Sequence, residues 1–275
     1  MLLDFGVILI VQTSIALWAA ITLVTCETFL ARGRPTWRGR LRALRFWAIY
    51  LPVQAALILA VALATRALGL KPLLDLKLSP PATLTPWLRW PLTVAALVAA
   101  AAVSDFCYYW MHRAQHAVPL FWRFHAVHHA IRDLNAVNAY HHCSEELLRA
   151  AFIALPAALL VRIEAGEAMI VSCLIVFQMW WIHAPLRVGW GPFRRVLSDG
   201  HFHRIHHSLE ARHWDRNFAA FTPIWDQLFG TAYFPGYDEW PATGLAGAPE
   251  VETVGDYVLR PLRASRAARA EGVAS

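Results

Sequence analysis

The chain has 275 residues, 57% of them hydrophobic and only 16% charged, with 13 tryptophans and a formal net charge of +6. Soluble domains are usually nearer roughly 45–50% apolar and about a quarter charged, so this composition excludes an ordinary soluble domain and points to a membrane protein. Nor does the positive charge indicate nucleic acid, because the arginines gather beside apolar segments, as membrane topology requires.

The first apolar run, Phe5 to Cys26, carries no charge. A helix needs about 20 such residues to cross a bilayer. It is preceded by Asp4 rather than by a basic stretch, and no small-residue cleavage pattern closes it. A retained transmembrane helix is expected, not a cleaved signal peptide. Then comes "ARGRPTWRGRLRALR", with Arg32, Arg34, Arg38, Arg40, Arg42 and Arg45 and no acid. Such a segment is expected on the cytoplasmic side. Phe46 to Ala64 is a second uncharged run, and "LSPPATLTP" supplies turn residues before a third, Trp90 to Met111, broken only by Asp105. Ala150–Val161 and Ala168–Leu186, separated by "RIEAGE", predict a helical hairpin whose first arm is short for a full crossing.

Counting crossings from the arginine loop returns His112, His116 and His183 to the face on which that loop lies. The expected architecture is an all-α membrane bundle of about four helices or more, capped on its cytoplasmic side by histidines. No linker or repeat divides it. Residues 1–89 read as N-terminal helices, 90–235 as the histidine-bearing region and 236–275 as a polar tail. The four cysteines lack CxxC spacing, and Cys26 and Cys173 read as small buried hydrophobes.

Three short stretches concentrate imidazole: "HRAQH" at 112–116, "HAVHH" at 125–129 and "HFHRIHH" at 201–207. His112 and His116 are spaced i, i+4 and share a helix face. His125, His128 and His129 are spaced i, i+3, i+4, and His203, His206 and His207 repeat the pattern. One tetrahedral zinc takes four ligands, so eight histidines suit two metal ions. Imidazole binds iron, zinc, copper or nickel alike. None of the three stretches carries the ExxH of soluble di-iron proteins, nor is there an HExxH to give a hydrolytic zinc its base. A haem would use one or two axial histidines. A histidine-only dinuclear centre remains, with oxygen activation as its natural chemistry.

Asp105 lies seven residues before His112, two turns along one face, and is expected to accept the second N–H of a ligand histidine. His201 and His213 fall outside the spacing, and Asn217 and Asp226 read as loop and capping residues. Trp122, Trp180 and Trp181 read as interfacial anchors or as walls of a lipid channel.

"DFCYYWMHRAQH", "LFWRFHAVHH", "HFHRIHH" and "NFAAFTPIWDQLFGT" resemble the fatty acid hydroxylase/sterol desaturase superfamily over about residues 90–235. The resemblance implies a membrane-bound, O2-dependent oxidoreductase that hydroxylates or desaturates a C–H bond of a lipid. It implies two iron ions, which zinc can replace on purification, and no catalytic side chain beyond the metal centre. The ligands it implies are His112, His116, His125, His128, His129, His203, His206 and His207. His183, in "FQMWWIHAP", and His142, in "HHCSEE", match two further family positions. At the latter the chain has Tyr140 and Cys143 where relatives often carry Arg and Pro, which leaves His141 open beside His142. A separate electron donor of cytochrome or ferredoxin type is implied, with a bacterial inner membrane as the setting. A histidine-ligated zinc hydrolase of membrane lipids is the alternative.

Overall fold

The computed structural model describes residues 5–263. Three helices are long and apolar enough to cross a membrane: α1 (Phe5–Leu30), α2 (Trp37–Ala67) and α3 (Pro86–Ala117). Each runs past the uncharged stretch that marks it in the sequence. The arginine-rich segment from Trp37 to Arg45 forms the first turns of α2, with Thr36 as its N-cap accepting from Gly39 N. α3 begins at a proline, which suits a first turn whose N–H groups need no intrahelical partner.

Pro119 ends α3. The residue before it, Val118, is extended, as steric conflict with a following proline demands. The chain turns there and re-enters a helix, α4 (Pro119–His129), packed against α3. The sequence "HRAQHAVPLFWRFHAVHH" is thereby folded back on itself.

The two arms of the expected hairpin are present, with the second packed on α1 and α3 rather than on the first. The first arm comprises α5 (Glu145–Arg149), one π turn (Ala150–Ala154) and α6 (Leu155–Leu160). Pro156, which has no N–H to donate, lies two residues past the π turn, in the first turn of α6. The second arm is α7 (Ala165–Trp181), an apolar helix shorter than the three spanning candidates. Two three-residue strands, β1 (Leu74–Leu76) and β2 (Val161–Ile163), pair in parallel and join the far end of this hairpin to the loop after α2. Glu167, in the first turn of α7, accepts the backbone N–H groups of Leu78 and Ser79 and pins the same loop.

Three short helices follow: α8 (Gly200–His206), α9 (Ile224–Leu228) and α10 (Val254–Arg263). Asp199 caps α8 by accepting from Phe202 N. Gly200 is required where α8 meets the end of α7, since a Cβ there would lie 2.4 Å from the Ala184 carbonyl oxygen. The expected polar tail is partly built into the fold. Tyr257 of α10 is buried and its hydroxyl donates to the His141 carbonyl, while residues 264–275 lie outside the described residues.

The ends of α1, α3 and α7 and the start of α2 all lie at one end of the bundle. Glu27 near the end of α1 pairs with Arg40 near the start of α2 and also accepts from Ala136 N. Arg42 pairs with Glu250 and Glu252 from the C-terminal segment. Two arginines of the basic stretch are thus buried in ion pairs rather than solvated. All four cysteines are free and half-buried.

Candidate metal centre

The clustered histidines occupy that same end and divide into two sets. His112, His116, His125, His129 and His206 form one; His128, His183, His203 and His207 form the other, with the ligand atoms of each set within 4.8 Å of one another. The division follows helix geometry. At about 100° per residue, i and i+4 share a face while i+3 diverges from i+4. In "HAVHH" the i, i+4 pair, His125 and His129, joins the first set and His128 the second. In "HFHRIHH" the pair His203 and His207 joins the second set and His206 the first. Each HxxHH therefore serves both sets.

The inward nitrogens lie close together. His112 Nε2 is 2.9 Å from His125 Nε2, and His129 Nε2 is 3.2 Å from both His125 Nε2 and His116 Nε2. In the second set His183 Nε2 lies 3.2 Å from His128 Nε2 and 3.1 Å from His203 Nε2. For metal–nitrogen bonds of about 2.0–2.1 Å, ligand nitrogens at right angles stand about 3 Å apart.

The outward nitrogens decide which atoms carry protons. Nδ1 of His112 faces the Phe218 carbonyl at 2.6 Å, that of His128 the Tyr140 carbonyl at 3.0 Å, and that of His206 the Arg216 carbonyl at 2.8 Å. Nδ1 of His183 faces the Met179 carbonyl. His116 and His125 direct Nδ1 at the carboxylates of Asp215 and Glu145, both at 3.1 Å. A carbonyl oxygen cannot donate, so Nδ1–H does, and each Nε2 is left as a lone pair pointing inward. Lone pairs facing one another in a buried space lack a donor; a cation supplies what they need. Buried His206 Nε2 and both ring nitrogens of His207 likewise have no hydrogen-bond partner among the described residues. Burial, reinforced by the neighbouring rings, holds His125, His129, His203 and His207 well below the usual imidazole range. They are neutral at pH 7, the form that binds metal. The donor set fits two histidine-held metal ions.

Two predicted site residues lie elsewhere. His142 belongs to neither set: its Nδ1 meets Ser144 Oγ at 2.7 Å and its ring packs against Tyr257 and Phe124. Its neighbour His141 turns inward, stacking on His128 with centroids 3.8 Å apart. Asp105 does not reach a histidine. It accepts the backbone N–H groups of Ala220, Phe221 and Thr222 at 2.9–3.0 Å. Asp226 accepts those of Phe218 and Ala219, and Asn217, at a positive φ of 59°, donates to the Phe202 and Tyr233 carbonyls. Two buried carboxylates thus hold the five-residue strap 218–222, whose Phe218 carbonyl orients His112. Asp105 acts on the histidines through this strap.

Glu145 was not singled out in the sequence, although "HHCSEE" contains it. It is buried, receives the Gln115 amide and forms a third group with His125 and His141. Burial pushes its carboxyl up to about 7. His201 and His213 stay outside the sets: His201 Nε2 meets the Glu239 carbonyl, and His213 bridges Ser208 Oγ and the Glu239 carboxylate. Trp122 packs on His116 and His129, Trp180 on Trp47, and Trp181 on Trp190.

A cavity of about 320 Å³ runs from this end of the bundle between α1, α2 and α7. His141 and His183 line its histidine end; Ile15, Leu51, Ile58, Met169 and Val176 are among the apolar residues along it.

A helical membrane bundle with two convergent imidazole sets defines a class, and sequence comparison supplies the family. Residues 97–231 match the fatty acid hydroxylase family model. The segment that carries every clustered histidine belongs to the fatty acid hydroxylase family. Among similar proteins, the human alkylglycerol monooxygenase is 32% identical over 46% of this chain and 28% of its own length. An ornithine lipid hydroxylase of Rhizobium tropici is 28% identical over 58% of the chain and 48% of its own length. A very-long-chain aldehyde decarbonylase of Oryza sativa subsp. indica is 27% identical over 55% and 25% respectively. The chain therefore spans less than half the length of these relatives. No solved structure matches it.

Proposed function

We propose that this chain is a membrane-bound, O2-dependent oxidoreductase that hydroxylates or desaturates a C–H bond of a lipid. The observation that carries the reading is the meeting of two inward-facing imidazole sets with an apolar cavity lying among the membrane helices. The kinship with lipid monooxygenases and hydroxylases supports it, and does not favour the zinc hydrolase. Residues 90–235 form the catalytic region, to which α1 and α2 add two cavity walls.

The nine histidines of the two sets would hold two iron ions, which zinc can replace on purification because nitrogen sites favour it. Iron so held supplies O2 activation and C–H cleavage, with electrons from a separate cytochrome- or ferredoxin-type donor. The chain's own groups do the rest. Carbonyls and carboxylates on Nδ1 fix the tautomer of six rings and their aim. The cavity accepts a lipid chain without passage through water and holds it beside His141 and His183. Trp47 and Trp180, stacked with centroids 5.1 Å apart, wall off that end.

The test uses the full chain in membranes supplied with lipid, reductant and labelled O2, with metal measured in parallel. Label is expected in a lipid hydroxyl, or O2-dependent appearance of a double bond. His112→Ala, His128→Ala and His206→Ala should each lower turnover more than about 100-fold while the protein remains in the membrane. His201→Ala should retain most activity. Full activity and metal content in His112→Ala or His206→Ala would refute the assignment.

A further inference from the structure

The cavity described above has a polar feature that the metal site does not use. Most polar groups along it are matched within the protein. At the histidine end, Glu146 receives the Tyr50 hydroxyl, lies 3.0 Å from Arg149 Nε and is hydrogen-bonded by Gln54. Ser172 donates to the Ala168 carbonyl of its own helix. Gln12 differs. It lies on α1, within the uncharged segment from Phe5 to Cys26, and lines the cavity. Its Oε1 is buried and has no hydrogen-bond partner among the described residues, and it meets a donor in the cavity once the side-chain amide turns toward that space. An unpaired amide oxygen away from water is destabilising, and a bilayer offers no water to relieve it.

The depth of Gln12 follows from the helix register. α1 and α7 run in the same direction, joined near their ends by the bridge between Ala31 and Leu186 and lower down by the contact of Trp18 with Phe177. Gln12 is six residues before Trp18, level with Val171 and Ser172. Met169 and Ser172 line the cavity beside it. From that level to His183 is eleven or twelve residues, or roughly 17 Å at the rise of an α-helix.

We propose that Gln12 is a specificity-determining residue. Resting on the oxygenase reading, the inference is that the preferred lipid carries a hydrogen-bond donor, a hydroxyl or an amide N–H, about 17 Å from the carbon presented to the histidines. Such a group satisfies Gln12 Oε1 and fixes how far the chain advances, so it sets which carbon lies at the metal end. A plain saturated chain fills the same space but leaves the amide unpaired, and has no fixed register.

Binding and regiochemistry test this separately. The probes are matched long-chain lipids, one saturated and the others bearing one hydroxyl at different chain positions. They are titrated into the full chain in lipid nanodiscs while the fluorescence of cavity tryptophans Trp47 and Trp180 is followed. Wild type should bind one hydroxylated positional isomer about five- to tenfold more tightly than the saturated probe, the worth of one net hydrogen bond. Gln12→Leu should abolish that preference, bind the saturated probe at least as well, and melt no lower than wild type. Its turnover should give a mixture of positional products where wild type gives one. Equal affinity of wild type for all probes, or an unchanged preference in Gln12→Leu, overturns the role of Gln12 and leaves the oxygenase reading intact. If no lipid is oxidised but the preference holds and Gln12→Leu removes it, the oxygenase reading fails and the Gln12 contact stands as a binding determinant.

Discussion

His141 and His142 are consecutive, yet their rings face opposite ways. The segment between α4 and α5 is not helical, so neighbouring side chains diverge. His141 lies inside, against His128 and the cavity, with its Nε2 buried and unpartnered. His142 spends its Nδ1 on Ser144. His141→Ala is therefore expected to cut lipid oxidation at least about tenfold, as loss of a group adjoining a metal ligand does, and His142→Ala to stay within about twofold of wild type. Turnover and metal content of both variants decide it, and the reverse ranking would return His142 to the site. The HxxxH and the two HxxHH stretches are legible from spacing alone because helical periodicity ties sequence distance to direction. No such rule reaches residues 131–144, and family position points to His142, whereas the structure turns His141 toward the clustered histidines. Asp105 shows the same limit. Its two-turn offset from His112 is real, but its partners are backbone groups more than 100 residues away, which no local pattern reveals.

Elements rather than single residues bring the two histidine sets together, and their limits are set by a few local signals. Pro119 ends α3 and starts α4; Asp199 and Gly200 start α8 against the end of α7. Those punctuation marks are readable in the sequence, as are the three long apolar helices and the short arm of the hairpin. The strands β1 and β2 are not, since three residues are too few to show a period of two. Nor is the way α1 and α2 are tied at the histidine end, where Glu27 meets Arg40 with side chains 0% and 8% exposed. Removing one member of such a pair leaves the other charge buried and uncompensated, at a cost of about 3–5 kcal/mol. Glu27→Gln should lose stability of that order in denaturant titration of the purified protein, because the amide still reaches Ala136 N but cannot neutralise Arg40. A loss below about 1 kcal/mol would show that the pair is solvated and that packing alone fixes the two helices.

For the whole molecule, the same end of the bundle collects the histidines, the C-terminal helix α10 and the arginines between Arg32 and Arg45. The opposite end offers Arg66, Lys71, Lys77, Arg89 and Arg162. The histidine end carries those six arginines together with Arg113, Arg123, Arg132 and Arg187, and this excess predicts it to be cytoplasmic. Burial of Arg40 and Arg42 in ion pairs does not weaken this, because Lys and Arg rather than net charge govern insertion, and Asp and Glu contribute little. The orientation matters chemically: the electron donor proposed above would reach the two histidine sets only from the side on which they lie. Single cysteines at exposed positions test it in intact cells with a membrane-impermeant thiol reagent, on a background lacking the four native cysteines. Thr83→Cys should be labelled at once. Arg38→Cys and Tyr237→Cys should react together and only after the membrane is opened, since the Tyr237 carbonyl accepts from Arg32 within the same face. Labelling of positions 38 and 237 on opposite sides would break the bundle arrangement itself. Labelling of both from outside, with 83 protected, would keep the arrangement and invert it, placing the electron donor beyond the cytoplasm.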